Sequence, residues 1–191
     1  MSSFYSVLFR MKYIDRWALM RNVDKESLSD HTLFVAFITH ALCVIEKTRL
    51  NNASINTEKA VLYALFHDTA EVITGDLPTP VKYYNDDIKT AYKQIENMAE
   101  DKLLSLLPDD FKAEIDDVYN VSDEIKKTVK AADKISALIK CEQELSFGNV
   151  EFKEAKKQTE ASIKSLNYPA ADIFIKEFLP SFKLSLDKQT K

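Results

Sequence analysis

The chain has 191 residues, a formal net charge of −4 at neutral pH, 46% hydrophobic and 29% charged residues. This is the balance of a soluble globular protein with a single sizeable core, and its scattered basic residues leave no electrostatic footprint for duplex nucleic acid. It has only 2 glycines, where average usage of about 7% gives roughly thirteen; that disfavours a fold of many tight hairpins and favours long helices joined by short polar loops.

Phe4, Val7, Leu8 and Met11 recur at i, i+3, i+4 and i+7, a first amphipathic helix. "MSSFYSVLFRMKYIDRW" carries Arg10 and Lys12 inside that pattern and no small-residue cleavage site, unlike a signal peptide. Residues 15–30 lose the rhythm and read as a loop. Ser29 or Asp30 is expected to cap a second helix reaching about Lys47, with Leu33, Ala36, Phe37, His40, Ala41 and Val44 as its inward stripe. The longest apolar run, "LFVAFITHALCVI", contains Thr39 and His40 and is too short to span a bilayer. Asn56 opens a third helix, "TEKAVLYALFHDTAEVIT", which must end by Gly75, and Pro78 and Pro80 make residues 76–82 a stiff loop.

A fourth helix is expected from about Asp86 to Leu107, stopped by Pro108, with Ile88, Tyr92, Ile95, Ala99 and Leu103 inward. After a short helical piece, Ser122 caps a long helix to about Phe147, with Ile125, Val129, Ala132, Ser136 and Ile139 in the core and Gly148-Asn149 as terminator. Two shorter helices, near 151–166 and 169–178, follow, with Pro169 suited to a first turn. No stretch alternates at period two, so the expected class is all-α. Cys43 and Cys141 stand far apart and read as reduced core thiols of a cytoplasmic protein.

One stretch breaks the pattern. In "LYALFHDTAEVITGDLPTPVKYY" an apolar helix runs into His67, Asp68, Glu71 and Asp76. Ionisable groups at the end of a buried segment are costly unless paired. A metal site needs deprotonated imidazole and carboxylate donors converging from rigid elements. His31, His67 and Asp68 are candidates, and Asp133 in "VKAADKISALI" is the best remaining acid. Plainer readings stay open beside this one. His67 can be a satisfied core histidine, Asp133 can pair with Lys130 or Lys134, Glu71 can be an exposed helix-end acid, and Trp17 can anchor the core. His40 lies nine residues beyond His31, roughly 13 Å along a helix, and is assigned to the core. The lysines at 126–140 and 153–164 read as solvated faces.

The order His31, His67-Asp68, Asp133 resembles the H…HD…D pattern of the HD-domain phosphohydrolases. "DRWALMRNV…SDHTL", "HDTAEVITGDLPTPVKYYN", "KAADKISALIKCEQE" and "FLPSFKLSLD" are similar to successive blocks of the bacterial-type 5′-deoxynucleotidases, over about residues 4–187. The resemblance implies a single-domain HD-type helical bundle spanning 1–191, with a metal-binding core at about 29–140 and helices 151–178 packing on it. It implies metal-dependent hydrolysis of deoxyribonucleoside 5′-monophosphates, and a homodimer.

By the same resemblance His31, His67, Asp68 and Asp133 hold one divalent ion, Mn²⁺ or Co²⁺ first, with Zn²⁺, Ni²⁺, Fe²⁺ or Cu²⁺ as alternatives. Glu71, one turn beyond His67 and Asp68, is assigned the attacking water and Asp76 the leaving group, though the two roles could be exchanged. Arg16 grips phosphate oxygens in a geometry that lysine does not reproduce. Trp17 walls the sugar, where it could exclude a ribose 2′-hydroxyl. His31, Asp68, Asp76, Leu77, Pro78 and Thr79 line the rest of the substrate pocket. Asp30 stands where the family pattern has Glu, and Ala18 where it has Pro. The rival readings are a hydrolase of longer phosphate chains (a deoxynucleoside triphosphate or an alarmone) and a non-catalytic nucleotide-binding module. The first calls for more basic residues than Arg16, Arg21 and Lys82, and the second for a lost ligand or acid.

Overall fold

The computed structural model describes residues 1–82 and 84–190, residues 79 and 80 by backbone alone. Among them ordered structure is helical and there is no strand, only an isolated antiparallel bridge between Asp15 and Ser27. In chain order the helices are α1 (Phe4–Leu8), α2 (Leu28–Arg49), α3 (Thr57–Phe66), α4 (Glu71–Thr74), α5 (Thr79–Lys82), α6 (Asp86–Leu104), α7 (Asp109–Tyr119), α8 (Asp123–Ser146), α9 (Lys153–Ser165), α10 (Pro169–Glu177) and α11 (Leu186–Gln189). Short 3₁₀ turns at Phe9–Tyr13, Val150–Phe152 and Leu179–Lys183 complete the list.

Several boundaries differ from those expected. Ser27, not Ser29 or Asp30, caps α2. Its hydroxyl accepts the Asp30 N–H at 3.2 Å while the Asp30 carboxylate accepts the Ser27 N–H at 3.1 Å, a capping box in which Asp serves in place of Glu. Asn56 does cap α3, accepting the Lys59 N–H at 3.0 Å. The helix then stops at Phe66 instead of running on to Gly75. The Thr69 hydroxyl donates to the Phe66 carbonyl at 2.8 Å, and backbone bonds from Thr69 to Ile73 tighten to the three-residue spacing. The break falls on the His67-Asp68 pair.

Gly75, at φ 73, turns the chain out of α4. The stiff loop after it contains one helical turn, α5. Asn85 caps α6, accepting the Ile88 N–H at 2.8 Å, and α6 ends at Leu104, short of Pro108. Tyr92, Ala99 and Leu103 are buried as expected, whereas Ile95 is exposed. In α8, capped by Ser122, Ile125, Val129, Ala132, Ser136 and Ile139 are all buried.

α2 is the centre of the bundle and packs against α3, α8 and α10, with α9 laid on α8. By length and composition α2 could cross a membrane, but 56% of its apolar window is buried inside this fold, as suits a helix that is apolar nearly all round. That composition also explains an error of phase. Val35, Ile38, Leu42, Cys43 and Ile45 face the core, and of the expected inward stripe only Ala36 is fully buried. Leu33, Phe37 (64% exposed), His40 and Val44 are on the surface, so His40 is not a core residue. A smaller core of Phe4, Leu103, Leu107 and Ile115 ties α1 to α6 and α7 beside Phe66.

Candidate metal and phosphate site

His31 lies in the first turn of α2, His67 and Asp68 in the break after α3, and Asp133 midway along α8. His31 is completely buried, with Nε2 3.2 Å from Asp133 Oδ1 and 3.5 Å from Asp68 Oδ2. His67 Nε2 is 3.1 Å from the same Asp68 oxygen. Donor atoms of His31, His67 and Asp133 all lie within 4.8 Å of one another.

The far side of each ring is occupied. His67 Nδ1 lies 2.7 Å from the Ala64 carbonyl, which can only accept, so Nδ1 carries the hydrogen. His31 Nδ1 faces the Ser136 hydroxyl at 3.3 Å. Both Nε2 atoms are buried without a hydrogen-bond partner among the described residues. Two buried, orphaned imidazole nitrogens turned toward two carboxylates form a donor set that fits a divalent ion, with the opposite nitrogens held as ligand imidazoles usually are.

The charges respond to this crowding. Burial acts to raise Asp133, yet the His31 ring and the Lys134 ammonium outweigh it and hold the carboxyl well below the usual carboxylate range. Lys134 takes Asp133 Oδ2 at 3.1 Å, so the acid pairs with lysine through one oxygen and faces His31 with the other. Burial opposes a charged His67, but the adjacent Asp68 carboxylate lifts it to about 9 when no metal is bound.

Glu71 opens α4 and is buried, with Oε2 lacking a hydrogen-bond partner among the described residues. Burial, reinforced by Asp68 and Asp76, pushes its carboxyl up to about 8. Burial also raises Asp76, against the pull of Arg16. The structure therefore groups both candidate acids electrostatically with Arg16 and Asp68. Leu77 and Pro78 are half-buried in the loop after Asp76. The Thr79 side chain lies outside the described residues.

Arg16 is largely buried, with Nη1 3.9 Å from Asp68 Oδ2 and Nε 3.5 Å from Glu26 Oε2. Trp17 adopts a left-handed backbone, φ 59, which costs a bulky residue about 1–3 kcal/mol. Its carbonyl accepts from Met20 N–H at 2.8 Å, its indole N–H donates to Glu26 Oε2 at 2.7 Å, and its ring packs on Phe152 at 5.3 Å. Farther along the same loop, the backbone N–H groups of Val23 and Asp24 donate to the buried Glu144 carboxylate, at 2.9 and 3.0 Å in the shortest pairs. Lys140 and Asn149 also bind Glu144.

Sequence reasoning missed Glu26 and Glu144, loop and helix acids with no periodic signal. Ser136 was legible only as a core position. Lys82 is not a free cation: its ammonium binds Glu96 at 2.7 Å and lies over the Tyr92 ring. Arg21 likewise pairs with Glu151 at 2.7 Å.

Comparison with known proteins gives a consistent picture. Residues 3–182 match the family model described as 5′-deoxynucleotidase YfbR-like. Proteins named 5′-deoxynucleotidase from Yersinia pestis (strain Pestoides F) and Yersinia pseudotuberculosis (strain YPIII) are each 48% identical to the chain, over 98% of it and 96% of their own length. Among solved structures, an HD-domain phosphohydrolase from Listeria innocua superposes with a TM-score of 0.83 at 22% identity, covering 99% of this chain and 92% of that one. An HD phosphohydrolase of cyanophage S-2L, bound to dA and one catalytic Zn²⁺ ion, gives a TM-score of 0.66 at 16% identity, covering 92% and 95%.

Proposed function

The chain belongs to the YfbR-like 5′-deoxynucleotidase family, and we propose that it hydrolyses deoxyribonucleoside 5′-monophosphates to deoxynucleosides and phosphate with one divalent metal ion. The observation that carries this reading is the convergence of the two orphaned Nε2 atoms of His31 and His67 on Asp68 and Asp133, with Arg16 alongside. Phosphate monoesters are among the slowest reactions in water, and enzymes accelerate them by up to about 10²¹-fold.

His31, His67, Asp68 and Asp133 would hold the metal. Bound there, it would acidify water and neutralise phosphoryl charge. Mn²⁺ and Co²⁺ are the first choices for these nitrogen and oxygen donors, and the zinc of the phage protein keeps Zn²⁺ beside them. Arg16 binds the phosphate oxygens with the guanidinium edge that Glu26 leaves free. Trp17 stands against the sugar, and Asp76, Leu77 and Pro78 line the nucleoside. As water attacks phosphorus and the bond to the 5′-oxygen breaks, Glu71 takes the proton that water loses and Asp76 gives one to the departing oxygen. Glu71 is raised mainly by burial and in part by Asp68; a cation on Asp68 would offset that second part and favour the basic form of Glu71. The raised Asp76 suits a proton donor.

A single phosphate fits better than a longer chain because Lys82 and Arg21 are already paired with acids. Phosphate release from dAMP, compared with release of phosphate or pyrophosphate from dATP, tests this. The reading predicts turnover of dAMP, and turnover of dATP alone overturns it. We take residues 1–191 as one functional unit. A homodimer is part of the same proposal, supported by the exposed apolar side of α2 at Leu33, Phe34, Phe37 and Val44. So is a cytoplasmic location, supported by the buried free thiols of Cys43 and Cys141.

A further inference from the structure

Two parts of the candidate site come from adjacent residues, Arg16 and Trp17, on a segment without helix or sheet to hold them. That segment is clamped where it begins and ends. Arg16 N–H donates to the Glu26 carbonyl at 2.9 Å and Leu28 N–H to the Ile14 carbonyl at 2.8 Å, closing the loop between. At the closing point the Glu26 side chain turns inward and is only 8% exposed.

We propose that Glu26 is a positioning residue for substrate: its Oε2 accepts the Trp17 indole N–H at 2.7 Å and lies 3.5 Å from Arg16 Nε as a charge contact without a hydrogen bond, directly behind His31. Its second oxygen is 3.9 Å from His31 Nδ1, so the phosphate-binding, sugar-facing and metal-binding parts share one buried anchor. Trp17 needs such an anchor because its left-handed backbone is one that a bulky residue leaves when released. Arg16 needs it because the Glu26 charge draws the Nε side of the guanidinium and leaves the Nη1 edge turned toward Asp68. The inference rests on the deoxynucleotidase reading for what Arg16 and Trp17 bind.

The two contacts separate by chemistry. Glu26→Gln keeps an oxygen to accept the indole N–H but removes the charge beside Arg16, whereas Glu26→Ala removes both. Trp17 is the sole tryptophan, so its emission and its quenching by acrylamide report the ring directly. The expected result for Glu26→Ala is a more quenchable tryptophan, a rise in KM for dAMP, and a fall of about tenfold or more in preference for dAMP over AMP. Glu26→Gln is expected to restore the tryptophan signal and the preference while KM stays raised. Unchanged quenching and preference in Glu26→Ala, or equal loss on both nucleotides with the tryptophan signal intact, overturns the role of Glu26 alone. A wild-type protein inert toward both nucleotides overturns the deoxynucleotidase reading and this role with it.

Discussion

His31 Nε2 and Asp133 Oδ1 lie 3.2 Å apart, joining the first turn of α2 to the middle of α8 with no hydrogen bond between them. A cation bound between them would stabilise a pair so placed. Metal-stripped protein should therefore melt at a lower temperature than protein reloaded with Mn²⁺, Co²⁺ or Zn²⁺. At a free concentration of 100 times Kd the gain is about 2.7 kcal/mol. Asp133→Ala should abolish the shift, as followed by thermal unfolding with and without metal. A full shift in that variant would remove Asp133 from the ligand set.

The acid and base assignments separate by leaving group. Asp76→Asn should lower kcat on dAMP by about 10²–10⁴-fold but lose far less on 4-nitrophenyl phosphate, whose leaving group departs without a proton. Glu71→Gln should lose on both substrates. The reverse pattern in steady-state kinetics would exchange the two roles.

Glu144 should make the loop that carries Trp17 sensitive to acid. Burial opposes its charge, but Lys140, the Val23 N–H, Asn149 and the Asp24 N–H hold its carboxyl down to about 2, against an ordinary 4.5 in the unfolded chain. A folded-state value below the unfolded one stabilises at pH above about 4.5, and the contribution is lost as pH falls toward about 2. It is on the order of 3 kcal/mol. Between pH 7 and pH 3, urea unfolding should show wild type losing roughly 2 kcal/mol more than Glu144→Gln, which is already destabilised at pH 7. Parallel curves for the two proteins would count against it.

The phase of α2 can be checked by two substitutions. Leu42 is fully buried and Phe37 is mostly exposed. Leu42→Ala should cost about 2–5 kcal/mol in chemical denaturation. Phe37→Ser should change the stability of the isolated chain by about 0.5 kcal/mol or less, and should lower the mass seen in sedimentation if that face joins two copies.

Much of this molecule was legible in its residues because caps and terminators are local. Asn56 and Ser122 mark helix starts with side-chain acceptors for nearby N–H groups, and Gly75 and Gly148 mark ends with left-handed backbone. The orientation of α2 was not legible, because a helix with Leu33, Phe37, Val35 and Leu42 on opposite sides has no single apolar stripe to read. Nor was the break at Phe66, where a side-chain hydroxyl, Thr69, competes with the helix for the Phe66 carbonyl. The motif acids and histidines were legible as residue types in order. Glu26, Glu144 and the tautomer set by Ala64 depend on what the folded chain brings near, which spacing does not carry.

Phosphate release from dAMP and AMP, measured side by side with metal-stripped protein reloaded with Mn²⁺, Co²⁺ or Zn²⁺, is the most direct test of a metal-dependent deoxynucleotidase. Release from dAMP with little from AMP, and only after reloading, is the expected result. No release from dAMP with any of the three metals would contradict it.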